Sequence, residues 1–272
     1  MRRAEAVVGQ KRISYLISQP SASGPHRARH LLFLHAFPLQ AAMWEPTLGA
    51  ADGWQAVAPD FRGFGHSPLP ADSSHRITEL AGDAIDLLDQ LHIAEAVVIG
   101  CSMGGYVAFE MMRMAPGYVS ALVLVSTRPG ADNEEGRANR LKMIDQTDRE
   151  GVGAIADQMI PKLLGATTRL ERPDLVEHIR RLAVSNSADG IKNALAAMMG
   201  RNDSTAALED FKIPALIVHG LEDTLIPSRE AEAMQRALPN AEYEPMPLTG
   251  HLPNLERSAA FDARLRQFLD KL

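Results

Sequence analysis

Cysteine occurs once in the 272 residues, as Cys101, so no intramolecular disulfide framework staples the chain. Paired Cys/His spacings and H-x-x-x-H are both missing, so neither a metal nor another cofactor is expected. No G-x-x-x-x-G-K-[ST] or G-x-G-x-x-G is present, which argues against a nucleotide-phosphate loop. Blocks of basic residues are absent and the net charge is -6, so nucleic acid is not an expected partner. The longest apolar stretch, Leu31–Leu39, falls far short of the ~20 residues that span a bilayer, so no membrane segment is expected. Met1-Arg2-Arg3 is basic but no apolar run follows it, and a soluble cytoplasmic protein is the expectation. Nothing in the sequence sets an oligomeric state.

What is present is ordinary for a globular chain: 46% apolar and 23% charged residues, enough for one large α/β domain or one carrying an insertion. Ala6–Val8 and Ile13–Ile17 read as a hairpin turning at Gly9-Gln10, followed by a Pro20–Pro25 loop. His30–Leu34, Trp54–Ala58, Ala96–Ile99, Val119–Val125 and Ile213–Val218 are apolar runs suited to strands, and Ala241–Met246 is a further short strand. Between them lie a short helix over Ala41–Ala50 and a helix whose face is Ile77, Leu80, Ala81, Ala84, Ile85, Leu88 and Leu91. Others are predicted from the residue after Ser102 to Ala115, over Ser228–Leu238 and over Pro253–Phe268. From Thr127 to about Asp210 only short helical segments appear. Strand and helix alternate, stop, and resume. That pattern predicts a doubly wound, mostly parallel α/β sheet with one inserted helical unit.

The chemistry centres on Gly100-Cys101-Ser102-Met103-Gly104-Gly105, where a buried strand ends and a helix begins. G-x-S-x-G in that context is the nucleophile elbow, with Ser102 exposed on a strained turn and Gly100 and Gly104 giving clearance. A serine needs a base and an orienting acid. In parallel sheets these sit on loops after the carboxyl ends of strands. Asp223 follows the Ile213–Val218 strand and His251 follows Ala241–Met246, giving the chain order Ser, Asp, His that the elbow predicts. Glu222 competes with Asp223 for the acid role. The other acid position, after Val125, holds Ser126 and Thr127, which cannot serve. Cys101 is expected to pack into the core. His35, His66 and His219 read as structural histidines, and Asp60–Ser67 as a rigid turn.

The chain resembles the α/β-hydrolase superfamily and, more narrowly, its small cap-bearing carboxylesterases, 3-oxoadipate enol-lactonase-like enzymes and haloperoxidase-like esterases. The matching pieces are His35-Ala36-Phe37-Pro38, Asp60–Ser67, Gly100–Gly105, Gly220–Asp223 with Pro227, and Gly250-His251 with Asn254-Leu255-Glu256. The resemblance implies an eight-stranded core over 1–127 and 211–272 and a helical cap over 128–210. It implies Ser102 as nucleophile, Asp223 as orienting acid, His251 as base, and the backbone N–H groups of Phe37 and Met103 as oxyanion hole. Ala36 departs from the family's usual glycine, which puts the Phe37 donor in question if the backbone there has positive φ. The site would lie between core and cap, lined by Met159, Leu163, Leu225 and Leu252. Few aromatics and many Leu, Met and Ala point to a modest apolar pocket for a small-molecule ester or lactone. Met143, Met159, Met198 and Met199 serve equally as cap core.

Carboxylic ester cleavage is the leading expectation, with enol-lactone hydrolysis, C–C hydrolysis of a diketone acid, thioester hydrolysis, and a non-catalytic ligand receptor as alternatives. The acidic substrates among these would want a cationic anchor. Arg128, Arg137, Arg140 and Lys142 stand where the insertion begins, and read equally as a solvated face.

Overall fold

The computed structural model describes residues 1–18, 29–49, 53–74 and 76–272. The expected Pro20–Pro25 loop and the Ala50 end of the first helix lie outside the described residues. Eight strands form one sheet in the order β1-β2-β4-β3-β5-β6-β7-β8. β1 (Arg2–Val8) and β2 (Lys11–Ile17) make the antiparallel hairpin, and β2 joins β4 (Trp54–Pro59) antiparallel. β3 (Arg29–Leu34), β4, β5 (Ala96–Cys101), β6 (Val119–Val125), β7 (Ala215–Gly220) and β8 (Ala241–Met246) are all parallel. The expected mostly parallel α/β sheet is therefore present.

Burial follows position in the sheet. Every residue of β5 and β7 is buried, as are all of β6 but Ser120, because helices cover both faces of interior parallel strands. β1 and β8 lie at the edges and are mostly half-buried or exposed, and the polar start of β1 hid it from a hydrophobic reading. The helices α1 (Glu45–Leu48), α2 (Ile77–Gln90) and α3 (Met103–Met114) alternate with the early strands. α2 buries Ile77, Leu80, Ala81, Ala84, Leu87 and Leu88, while Ile85 and Leu91 are only partly covered. α3 is buried from Met103 to Met112.

Between β6 and β7 the chain forms α4 (Glu134–Glu150), α5 (Val152–Leu163), α6 (Ala166–Glu171), α7 (Pro173–Val184) and α8 (Ala188–Met199). No strand interrupts this segment. α4 buries only Thr147, whereas α5 and α8 bury Ile155, Met159, Leu163, Ile191, Leu195 and Met198. Arg128, Arg140 and Arg201 converge on the buried Asp132 carboxylate, and the Arg201 guanidinium stacks 4.2 Å from the Tyr106 ring centroid. Arg137 and Lys142 are exposed. This network ties both ends of the insertion to α3.

Several boundaries differ from expectation for local reasons. β7 starts at Ala215 because Pro214 has no N–H to give the sheet, and it runs on to Gly220 by pairing with Met246. The Ala41 segment is a 3-10 turn (Ala41–Trp44) passing into α1. The last helix is split into α10 (Pro253–Glu256) and α11 (Ser258–Leu269) around Arg257, whose φ of -135° is not helical. α9 (Ser228–Ala237) completes the core.

Candidate active site

The register brings the carboxyl ends of β3, β5, β6, β7 and β8 to one side of the sheet. Ser102 is the single residue between β5 and α3, with φ 53° and ψ -110°. A non-glycine residue in that region stores on the order of 1–3 kcal/mol and persists only when its surroundings hold it. They do. Its N–H donates to Val125 O at 2.9 Å, and its carbonyl accepts from Gly105 N at 2.9 Å and Thr127 Oγ1 at 2.8 Å. A Cβ on Gly100 would come 2.5 Å from Gly104 O, and one on Gly104 would strike Leu34 O. The two glycines are thus required by close approach, as the motif predicts.

On the neighbouring loops, Asp223 and His251 meet: His251 Nδ1 lies 2.7 Å from Asp223 Oδ2. Both side chains are buried, with 1% and 0% exposure for His251 and Asp223. The other carboxylate oxygen accepts the N–H groups of Leu225 (2.8 Å) and Ile226 (3.1 Å), which pins the acid. Burial alone would raise the Asp223 pKa. The facing His251 and the two amides outweigh it and hold the carboxyl below its ordinary value. Nε2 of His251 is buried and has no hydrogen-bond partner among the described residues.

Glu222 does not compete for the histidine. Its carboxylate turns to the insertion and accepts Thr167 N at 2.8 Å and Thr167 Oγ1 at 2.5 Å, bonds that lower its pKa. Met103 is the first residue of α3, so its N–H has no partner within the helix and lies at the positive end of the helix dipole. Phe37 lies in the loop after β3. The non-glycine residues with positive φ among those described are His92, Ser102, Ser126 and Leu248, so Ala36 is unstrained. His35 accepts Phe61 N–H through Nε2 at 3.0 Å and donates through Nδ1 to Ala36 O at 3.1 Å, holding its own loop. Complete burial lowers its pKa to about 4.

Leu163, Leu225 and Leu252 are all joined to this constellation. His251 N–H donates to Leu163 O at 3.1 Å, Leu225 N–H binds Asp223, and Leu252 follows the histidine. Met159 lies one turn before Leu163 on α5 and is 9% exposed. Cys101 is fully buried, and burial raises its thiol pKa well above the ordinary value, as expected of a packing residue.

Two residues outside the expected triad also gather here. Glu256 is 1% exposed and sends its carboxylate back to the amides around His251. His219 is buried at the end of β7 with neither ring nitrogen bonded among the described residues, and burial lowers its pKa. Glu256 stood in a matching motif, but nothing in its spacing says which amides it meets.

A model of the alpha/beta hydrolase fold family matches residues 29–258. The chain is 31% identical to a thermophilic esterase from Thermogutta terrifontis, solved with malate bound, covering 100% of this chain and 99% of that one with a TM-score of 0.91. It is 25% identical to the enol-lactonase from Burkholderia xenovorans LB400, covering 98% and 100% with a TM-score of 0.88. A 3-oxoadipate enol-lactonase of Acinetobacter baylyi is 23% identical over 233 residues, 85% of each chain. Among the described residues no group of three or more His, Cys, Asp or Glu could hold a metal ion, and no helix is long and apolar enough to cross a membrane.

Proposed function

The chain belongs to the α/β hydrolase fold family, and from that premise we propose that it is a serine hydrolase cleaving a small carboxylic ester. Ser102 is the nucleophile, His251 the general base and then acid, and Asp223 the group that orients the imidazole. The observation that carries this reading is the buried 2.7 Å Asp223–His251 pair at the same sheet end as a strained Ser102. With Nδ1–H donating to Asp223, Nε2 is left as the acceptor that catalysis requires, and it is free of other partners among the described residues.

In the reaction Ser102 Oγ forms a bond to the acyl carbon while its proton passes to His251 Nε2. The carbonyl oxygen becomes an oxyanion held by the N–H groups of Met103 and Phe37, each worth about 3–4 kcal/mol to the transition state. The C–O bond to the alcohol breaks, and His251 returns the proton to that leaving oxygen. Water, deprotonated by the same histidine, then attacks the acyl-enzyme and releases the carboxylic acid and Ser102. No step needs a cofactor.

The helices over 128–210 act as a cap on this site, and Met159, Leu163, Leu225 and Leu252 give the acyl group an apolar wall. A lactone is an ester closed on itself and would use the same groups; likeness to both an esterase and enol-lactonases favours it as the second reading.

Short-chain p-nitrophenyl esters test the proposal beside Ser102→Ala. A burst followed by turnover in the wild type, absent in the variant, is expected. Equal background rates with esters and with lactones for both proteins contradict it and leave the ligand-receptor alternative.

A further inference from the structure

Two hydrogen bonds cross from the catalytic-histidine loop to one corner of the inserted helices, and the Glu256 carboxylate links one of them to the amides flanking His251. Glu256 Oε1 accepts Leu252 N at 3.0 Å, Oε2 accepts Gly165 N at 2.8 Å, and Gly250 N bifurcates to both oxygens at 3.0 and 2.9 Å. Gly250 and Leu252 are the residues on either side of His251. Gly165 belongs to the α5–α6 turn of the insertion. His251 completes the junction by donating its own N–H to Leu163 O at 3.1 Å. The backbones approach so closely that a Cβ on Gly250 would strike Gly165 N. A buried carboxylate with three amide donors is fully satisfied, and it fixes each amide relative to the others.

We infer that Glu256 is a positioning residue for the hydrolysis: it sets the backbone of His251 and locks the α5–α6 corner of the cap to it, so that cap and base move as one body. This inference rests on the serine-hydrolase reading. Glu222 supplies a second tie to the same corner through Thr167, but it flanks neither side of His251. The two glutamates are therefore separable. One holds the cap and the base together; the other holds the cap alone.

Glu256→Gln keeps the volume but must point its amide NH2 at one of the three backbone donors, so one clamp arm becomes a donor–donor clash. The His251 loop then shifts against a fixed Ser102. A misplacement of this kind lowers kcat by about 10- to 100-fold, while KM changes by no more than a few-fold because Met159 and Leu225 of the apolar wall lie outside the junction.

The experiment measures burst amplitude, kcat and KM for wild type, Glu256→Gln, Glu256→Asp and Glu222→Gln, with thermal melts on each. The expected result is a kcat loss with little change in KM in both Glu256 variants. Glu222→Gln should show a lower Tm with wild-type kcat. The aspartate variant, too short to reach all three amides, serves if the glutamine variant does not fold. Wild-type kcat in a folded Glu256 variant overturns the inference, as does an identical loss in Glu222→Gln. A wild type with no Ser102-dependent burst overturns the serine-hydrolase reading and this inference with it; a normal burst beside an unaffected Glu256 variant overturns the inference alone.

Discussion

Replacing Asp223 by asparagine probes the triad through the direction of a single proton. Oδ1 of Asp223 accepts the N–H groups of Leu225 and Ile226, so an asparagine must put its carbonyl oxygen there. Its NH2 is then left facing His251 Nδ1 across 2.7 Å. Nδ1 has to accept, the ring proton moves to Nε2, and Nε2 can no longer take the proton of Ser102. The loss of the correct tautomer lowers kcat by about 10⁴-fold, or about 5.5 kcal/mol at about 1.4 kcal/mol per decade. KM should change by no more than a few-fold, since Asp223 is buried and meets no substrate. Both amides keep their acceptor, so the variant should fold and melt cooperatively. Steady-state rates on a p-nitrophenyl ester, read beside circular dichroism, check this. A folded variant whose kcat stays within about tenfold of wild type would mean that Asp223 does not set the His251 tautomer, because a mis-set tautomer cannot be that mild.

Gly104→Ala places a methyl group on Leu34 O, and overpacking of this kind costs about 1–3 kcal/mol; urea denaturation should find the variant less stable, and wild-type stability would mean the elbow is looser than it is drawn. His35 titrates at about 4 in the folded chain against its ordinary 6.5, so the unfolded chain binds more protons between those values. The stability it supports is full above about pH 6.5 and falls as pH drops toward 4, by about 2 kcal/mol between pH 7 and pH 5. Urea midpoints at the two pH values should show that slope, and His35→Gln should remove most of it.

The alternation of apolar strands and helices in the sequence is read directly from physics: strands sealed on both faces have few polar residues to confuse the pattern, and β3, β5 and β6 fall where the runs His30–Leu34, Ala96–Ile99 and Val119–Val125 place them. Edge strand β1 escapes that logic from Arg2 to Glu5 because one hairpin partner stabilises it without burial. The elbow is legible because its chemistry is local: a left-handed Ser102 between two glycines is written in five consecutive residues. Asp223 and Glu222 are adjacent in sequence and chemically alike, and only the fold separates them. The amides of Leu225 and Ile226 hold Asp223 toward His251, while Thr167, from an element more than fifty residues away, draws Glu222 outward. Glu256 was illegible for the same reason. Its partners are backbone N–H groups, which carry no residue identity for a sequence to display, and one of them belongs to the inserted helices.

In the proposed mechanism Ser102 carries the acyl group during turnover. Intact-protein mass spectrometry after rapid acid quench with a p-nitrophenyl ester, followed by peptide mapping, tests this step. One added acyl mass is expected, located on Ser102 and absent from Ser102→Ala. An acyl adduct on another residue, or undiminished ester turnover by Ser102→Ala with no adduct in either protein, would contradict it.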